Sequence, residues 1–294
     1  LTSVLCGALK EGFRPKQRQL GIYFAGGKAM ASRRTPLEIE AYADRFGLSV
    51  DVPALQYASR MSAKVDSAAV QDGYQIYHHV FIFTADGRWA VVQQGMNQAT
   101  GWARRYHWKG DKLESFIQEP HSAVCGEPEK RVLNLVASES VEARDTSLYL
   151  TQRPLEVIKN LKKIKELAGQ GKLELNLPAT HPVPGAGRIE KTLNRLYDLK
   201  PSSYEQVLAV EGVGPATVRA FALVSEVVYN VRASRRDPVR YSFAHGGKDG
   251  HPFPVNRENY DRSIMLLEKA LRRAKAGRRE TVEALKRLAI ICKI

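Results

Sequence analysis

The sequence has little cysteine. Cys6, Cys125 and Cys292 are the only cysteines among 294 residues, and they lie far apart. No CxxC or CxxH spacing occurs, which argues against a structural zinc site. A sparse and odd number of cysteines is typical of a reducing compartment, so we expect a cytoplasmic protein.

Long apolar runs are also missing. No run reaches the roughly 18 residues that a transmembrane helix needs, and no signal peptide, internal repeat or low-complexity tract is recognisable. The chain begins at Leu1, inside an apolar segment and without a Met, so we expect it to be a fragment of a longer protein.

Acidic residues are scarce relative to basic ones. The chain has 45 Lys and Arg against 31 Asp and Glu, a formal net charge of +14. An excess of this sign indicates a polyanionic partner, most simply nucleic acid. A basic protein that is merely soluble is the alternative.

The order of predicted elements indicates an α+β protein. We expect a small mixed sheet with a β-hairpin packed by helices, followed by a mostly helical domain. The length suggests about two domains. We divide the chain into an α/β domain over residues 1–126, a helical linker region over 127–180 and a helical nucleic-acid-binding domain over 181–294. The stretch LNLPATHPVPGAGR (175–188), with three prolines and two glycines, is the best boundary.

Several segments have clear local signals. A short strand ending in a Gly-Gly turn is predicted over 20–28, a helix from Thr35 to Phe46, and a longer helix over 52–74. The stretch NQATGWARRYHW (97–108) is predicted to be a loop or a short helix.

A hairpin is predicted over YHHVFIFTADGRWAVVQQG (77–95), because Asp86-Gly87 separates two apolar runs. With a two-residue turn, His79 faces Gln94 and Tyr77 faces Met96, whereas His78 and Gln93 share the other face. Polar pairs at the open end of an apolar hairpin indicate a site at the rim of the core. Hydrogen bonding among these side chains alone is the structural alternative.

The loop 71–75 leads to that same end and brings Asp72 beside the histidines. Carboxylate, imidazole and amide groups suit a divalent metal such as Mg²⁺ or Mn²⁺. Asp72 and His79 are the predicted metal ligands, and the predicted catalytic residues are Asp72, His79, His78, Gln94, Asp66 and Lys64. Asp66 and Asp72 can share a metal only if the helix ends before Asp72.

Arg104 and Arg105 leave the hairpin at the same end and are predicted to clamp phosphate. A metal-bound water with such a clamp suits phosphodiester cleavage. No nuclease signature is complete in the sequence.

A second motif, SSYEQVLAVEGVGPATVRAFALVSEVVYN (202–230), resembles the helix-hairpin-helix motif of DNA-binding proteins. Its glycines allow left-handed backbone angles, and the N–H groups of the turn and of the second helix can hold a phosphate. A plain two-helix turn is the alternative. The residues predicted to contact DNA here are Gly212, Val213, Gly214, Ala216, Thr217 and Arg219.

This motif also occurs in base-excision glycosylases, where a Lys lies early in the second helix and an Asp follows it. Here Ala216 stands at the Lys position, so Schiff-base chemistry has no support. Asp237 could serve a monofunctional glycosylase, although an Asp before Pro238 is also a common turn starter.

The later stretch HGGKDG (245–250) can form an anion-binding nest, with donors from His245 and Lys248. A solvated loop is the alternative.

The stretches GIYFAGGKAMASRRTP, SAKVDSAAVQDGYQIYHHVFIF, WAVVQQGM, ARRYHW and RYSFAHGGKDG resemble the uncharacterised prokaryotic family known as domain of unknown function 763. The resemblance covers nearly the whole chain, and it implies no activity.

We therefore expect a DNA-binding protein that contacts the backbone without sequence specificity. A metal-dependent nuclease in DNA repair or end processing is the favoured function. A monofunctional glycosylase, a non-catalytic DNA-binding adaptor and an RNA-processing enzyme are the alternatives.

Overall fold

A computed structural model of the chain describes residues 2–173, 175 and 182–239, together with Glu258, Asp261, Arg262, Ile264, Met265 and Lys269. The chain divides into two compact units, Leu1–Ser242 and Phe243–Ile294. The first unit contains the predicted ranges 1–126 and 127–180 and part of 181–294. In the second unit the described residues are helical, and Arg262 pairs with Glu258 at 2.8 Å, one turn apart. His245 and Lys248 lie outside the described residues.

Some of the described helices begin and end at the residues that the sequence predicts. The fourth begins at Thr35-Pro36 and ends at Gly47, whose φ of 59° is left-handed, as predicted. Within the described ranges, every helix is too short or too polar to span a membrane. The helices are α1 (Thr2–Phe13), α2 (Gln17–Leu20), α3 (Met30–Arg33), α4 (Thr35–Phe46), α5 (Val52–Lys64), α6 (Val141–Thr151), α7 (Pro154–Gly169), α8 (Ala186–Leu199), α9 (Tyr204–Ala209) and α10 (Pro215–Tyr229).

The helix predicted over 52–74 is shorter in the structure. Asp51 caps α5 by accepting a hydrogen bond from the Ala54 N–H. After Lys64 the helix widens into a π-helical turn, Val65–Ala69, and the chain then becomes a strand at Val70. Asp66 lies inside this turn, an irregularity that often marks functional sites.

A five-stranded sheet lies at the centre of the first unit, with the strand order β1-β3-β4-β5-β6 and every neighbouring pair antiparallel. A small second sheet pairs β2 with β7. Together with the packed helices this confirms the α+β class. The strands are β1 (Ile22–Lys28), β2 (Val70–Gln71), β3 (Gln75–Thr84), β4 (Trp89–Met96), β5 (Ala103–Lys109), β6 (Ala123–Cys125) and β7 (Leu133–Asn134).

Two predicted irregular segments are strands. The Gly-Gly turn is wrong, because Gly26 and Gly27 continue β1. A Cβ atom at Gly26 would lie 2.3 Å from the carbonyl oxygen of His79, so glycine is needed where β1 approaches β3. The predicted loop or short helix over 97–108 instead contains β5, where burial alternates as in a strand.

The predicted hairpin register is wrong by one residue. The loop has three residues, Ala85 to Gly87, and the Thr84 N–H donates to the Arg88 carbonyl at 2.9 Å. Gly87 has a φ of 82°, as three-residue hairpins require. His79 therefore faces Gln93, and His78 faces Gln94. A shift of one residue exchanges the faces, because side chains alternate along a strand.

The main core lies on one face of the sheet, where Phe81, Phe83, Val91 and Trp108 pack against α4, α5 and the later helices. The opposite face has a smaller cluster, in which Phe24 and Val80 pack against Cys6 of α1. His79 and Gln93 therefore lie on the main-core face, and His78 and Gln94 lie on the face that carries α1.

Candidate functional site

Asp66 is the centre of a buried polar network on the main-core face. Trp108 donates its Nε1–H to Asp66 Oδ2 at 2.9 Å, and Gln93 Nε2 donates to the same oxygen. His121 bonds the other carboxylate oxygen through Nε2. Asp66 has 0% exposure, and none of these partners is more than 6% exposed. The carboxylate is well satisfied, so it connects the π-helical turn to the sheet.

His79 extends this network. Its Nδ1 lies 3.0 Å from Gln93 Oε1, and its Nε2 lies 2.9 Å from Ser59 Oγ. Because Gln93 Nε2 donates to Asp66 and to the Ser62 carbonyl, the amide oxygen faces His79 and accepts from Nδ1–H. Burial lowers the pKa of His79 to about 4, so the ring is neutral at pH 7.

The Ser59–His79–Gln93 arrangement has the connectivity of an activated nucleophile, with a hydroxyl, a base and a group that orients the base. Ser59 is only 2% exposed, however, and it lies on the covered side of α5. The Ser59 hydroxyl is therefore closed to substrate in this structure, and the network acts in packing.

Asp72 belongs to a different network. Its carboxylate accepts from Arg104 Nη1 at 2.8 Å, from Tyr106 Oη at 2.6 Å and from the Tyr74 N–H at 3.1 Å. Arg104 also donates to both carboxylate oxygens of Asp237, at 3.1 and 2.9 Å, and its guanidinium lies 4.5 Å over the Tyr74 ring. The side chains of Asp72 and Arg104 have no exposed surface. A buried arginine is thus held between two carboxylates.

The predicted metal ligands are therefore not grouped. Asp72 is bonded to Arg104 and Tyr106, whereas His79 is bonded to Ser59 and Gln93. Gln94 and His78 lie on the opposite face of the sheet. Among the described residues, no three His, Cys, Asp or Glu side chains are arranged to hold a metal ion.

Two of the arginines predicted to contact DNA, Arg104 and Arg219, are buried in the structure, so their predicted contacts with DNA are wrong. Arg104 is paired with Asp72 and Asp237 inside the protein. Arg219 is 7% exposed and donates to Gln71 Oε1 at 2.5 Å and to the Pro182 carbonyl at 2.9 Å. Burial, with a contribution from Arg188, lowers the pKa of Arg219 to about 10. Arg105 is half-buried on the face that carries α1, beside Cys125.

Asp237 makes contacts that suit a turn. Its carboxylate accepts from the Val239 N–H at 2.8 Å and from the Glu129 N–H at 2.7 Å, in addition to Arg104. These are the contacts of an Asp that begins a turn before a proline. They connect residue 237 to the loop at Glu129.

Helices α9 and α10 are joined by a short turn that contains the glycines of the motif. Gly212 has a left-handed φ of 92°, and Gly214 is extended just before α10. Gly212 is exposed and Gly214 and Ala216 are partly exposed, whereas Val213 and Thr217 are buried. No described side chain caps the N-terminus of α10. The first N–H groups of a helix have no partner within it, so these groups are left for solvent or a ligand.

The carbonyl groups of the same turn have partners within the protein. Lys64 donates to the Val213 carbonyl and, at 3.5 Å, to that of Val210. Arg195 donates to the Glu211 carbonyl at 3.0 Å, and Thr192 to that of Gly212 at 3.4 Å. Burial lowers the pKa of Lys64, which is consistent with its inward position. The predicted catalytic residue Lys64 therefore binds the hairpin.

Helix α8 presents a basic stripe beside this turn. Arg188, Lys191 and Arg195 are exposed and recur at intervals of three and four residues, which places them on one side of the helix. Arg195 also pairs with Glu211 at 2.9 Å, which offsets one of the positive charges. The turn and the stripe form one surface, which we call the hairpin surface.

The fold and these contacts define an α+β protein with a central antiparallel sheet, buried polar networks and a helical hairpin whose second helix has no side-chain cap among the described residues. The chain belongs to the family of proteins of unknown function DUF763, whose family model matches residues 1–255. No curated protein and no solved structure matches the chain significantly.

Sequence reasoning did not predict some residues of these sites. His121 lies 55 residues from Asp66, and no local pattern connects them. The basic stripe of α8 could have been found, because Arg188, Lys191 and Arg195 have helical spacing directly before the glycine motif.

Proposed function

We propose that the chain binds the sugar–phosphate backbone of DNA through the hairpin surface. The observation that carries this proposal is that the carbonyl groups and the N–H groups at the α9–α10 turn differ in their hydrogen bonding. Its carbonyl oxygens are bonded to Lys64, Arg195 and Thr192, while the N–H groups at the start of α10 have no cap among the described residues. A surface of this kind attracts an anion.

Charge supports the same conclusion. The chain has a formal net charge of +14, and α8 adds exposed basic residues next to the turn. A phosphate held by N–H groups can be flanked by Arg188 and Lys191, which would contact neighbouring phosphates. Contacts of this kind fix position on a duplex and read no sequence.

The proposal concerns binding. Metal-dependent cleavage stays a prediction, because Asp72 and His79 have separate partners and the described residues offer no other cluster. A glycosylase, a non-catalytic adaptor and an RNA-processing enzyme would share the backbone contact and differ in the chemistry performed on the bound nucleic acid.

The test is a fluorescence-anisotropy titration of the full chain with labelled single-stranded, duplex and branched DNA and with duplex RNA, at salt concentrations from about 50 to about 300 mM. We expect duplex binding that weakens with salt and does not depend on sequence, because each neutralised phosphate contributes a log–log slope of about −0.9. Affinity that is independent of salt would overturn the proposal. Parallel incubations with Mg²⁺, Mn²⁺ or EDTA, analysed on denaturing gels, test cleavage separately.

A further inference from the structure

A continuous row of polar side chains crosses the face of the sheet that carries α1. The strand pairing places Lys28 opposite His78, His78 opposite Gln94, Gln94 opposite Arg105, and Arg105 opposite Cys125. Directly opposed residues share a face, so each of the five strands contributes one side chain to the same line. We call this line the polar row.

The remainder of that face is mostly apolar. Phe24, Val80 and Cys6 form its buried cluster, with Ile82 and Val92 packed against them. The row therefore places polar residues at one end of a mostly apolar face of the sheet. None of the residues in the row is acidic. The row has basic groups in Lys28 and Arg105 and a histidine between Lys28 and Gln94.

Two residues at the centre of the row are buried and carry side-chain atoms that no described residue bonds. His78 is 1% exposed and Gln94 is 6% exposed. Within the part of the chain that the structure describes, neither ring nitrogen of His78 has a hydrogen-bond partner, and the Gln94 side-chain oxygen also has none. An unpaired buried polar group typically costs about 1–3 kcal/mol. Three such atoms on two facing residues indicate a missing partner, since buried polar groups are nearly always satisfied.

The unpaired donors and acceptors of His78 and Gln94 indicate the chemistry of the missing partner. A neutral His78 offers one N–H donor and one acceptor nitrogen, and Gln94 Oε1 needs a donor. Positive charge lies on either side of the His78–Gln94 pair. Lys28 is exposed on one side, and Arg105, on the other, also bonds the Cys125 thiol. Lys28 lies close enough to His78 to help burial in lowering the pKa of the ring. The complementary group is an anion that also carries a hydrogen-bond donor.

We infer that the polar row binds a phosphate group that retains a P–OH, with inorganic hydrogen phosphate as the simplest example. The P–O⁻ oxygens would accept from the His78 N–H, Lys28 and Arg105, one P–OH would donate to Gln94 Oε1, and in dihydrogen phosphate the second P–OH would donate to the other ring nitrogen of His78. Sulfate has nearly the same size and shape but carries no hydrogen at neutral pH, so it leaves Gln94 Oε1 unpaired. This site is on the sheet, away from the hairpin turn in sequence, and the inference does not rest on the proposed function.

The test is isothermal titration calorimetry of the full chain with sodium phosphate and, separately, sodium sulfate at pH 7 and constant ionic strength. We expect phosphate to bind at the polar row, with sulfate binding there about tenfold or more weaker because one buried acceptor remains unpaired. Methyl phosphate distinguishes a monoester group from free phosphate as the source of the ligand. Equal affinity for phosphate and sulfate, or no binding of either, overturns the inference.

Variants locate the site. Gln94→Met removes the orphan acceptor at similar volume and should reduce phosphate affinity to that of sulfate. Lys28→Gln, at an exposed position, should weaken both anions, whereas the matched Lys112→Gln, which removes an exposed lysine outside the row, should weaken neither. Gly214→Ala, which alters the hairpin surface, tests whether the anion binds there instead. Loss of phosphate binding in Gly214→Ala but not in Lys28→Gln would place the anion at the hairpin and overturn the inference.

Discussion

The substitution Gly214→Ala separates the shape of the hairpin from its ability to hold a phosphate. Gly214 has φ −142° and ψ −170°, an extended conformation that alanine adopts without strain. A Cβ atom at this position would meet nothing within 4 Å. The added methyl group therefore fits the free protein and occupies open space beside the N–H groups of α10.

The expected change in folding stability is small. Alanine restricts the unfolded chain, which stabilises by about 0.4–1 kcal/mol, and it is a poorer N-cap than glycine, which costs a similar amount. The free energy of unfolding should therefore change by about 1 kcal/mol or less. Binding should change far more, because a hydrogen bond to a charged group contributes about 1.5–3 kcal/mol.

Loss of one N–H to phosphate contact corresponds to about a 10- to 100-fold increase in Kd. The assay is fluorescence anisotropy with a labelled duplex at about 100 mM salt, with thermal unfolding to confirm the fold. Gly7→Ala in α1 is the matched control, since a Cβ atom there also meets nothing within 4 Å. Unchanged DNA affinity in a folded Gly214→Ala variant would refute the role assigned to the hairpin turn.

Three further predictions concern the basic stripe and the buried networks. Lys191→Gln should lower the slope of log Kd against log salt by about one phosphate contact, and an unchanged slope in the same anisotropy titrations counts against the stripe. Asp66→Asn replaces one carboxylate oxygen with an NH2 donor, which faces either Trp108 or His121, and removes the charge that both contact, so we expect a loss of about 3 kcal/mol or more in urea unfolding followed by tryptophan fluorescence. A loss below about 1 kcal/mol contradicts the network. His79 has a folded pKa of about 4 against an ordinary value of 6.5, so its contribution to stability is complete above pH 6.5 and falls by about 3 kcal/mol towards pH 4. Burial gives His107 a similarly low pKa, so His79→Gln should make the profile shallower without abolishing it, and an unchanged profile in the variant disproves the role of His79.

Local features of the fold could be predicted because each depends on a few adjacent residues. The ends of α4 follow from Thr35-Pro36 and Gly47, and the α9–α10 turn follows from Gly212 and Gly214. The conformation of a glycine turn is set by backbone sterics, which depend directly on residue type.

The hairpin register could not be derived in the same way. Asp86-Gly87 fits both a two-residue and a three-residue loop; in the structure Phe83 pairs with Trp89, whose ring stacks on Phe81. One extra residue reverses which glutamine meets His79, so a small local ambiguity changes the whole candidate site.

The partners of the acidic residues were beyond sequence reasoning for a different reason. Asp72 meets Arg104 and Arg104 meets Asp237, contacts that span 32 and 133 residues. Burial then decides the role, because an arginine with no exposed side-chain surface, held between two carboxylates, cannot reach a phosphate at the protein surface. Strand β5 places Arg104 inside, and the sequence pattern of that segment predicts a loop or short helix instead.

The central claim is that DNA backbone is held by the N–H groups of the hairpin turn. The most direct measurement is a TROSY titration of the ²H,¹⁵N-labelled full chain with an unlabelled duplex of arbitrary sequence. The account predicts that the largest amide shifts occur at Gly212, Gly214, Ala216 and Thr217, with smaller shifts along Arg188–Arg195, and that a second sequence gives the same pattern. Binding that leaves these amides unchanged while shifting others would contradict it.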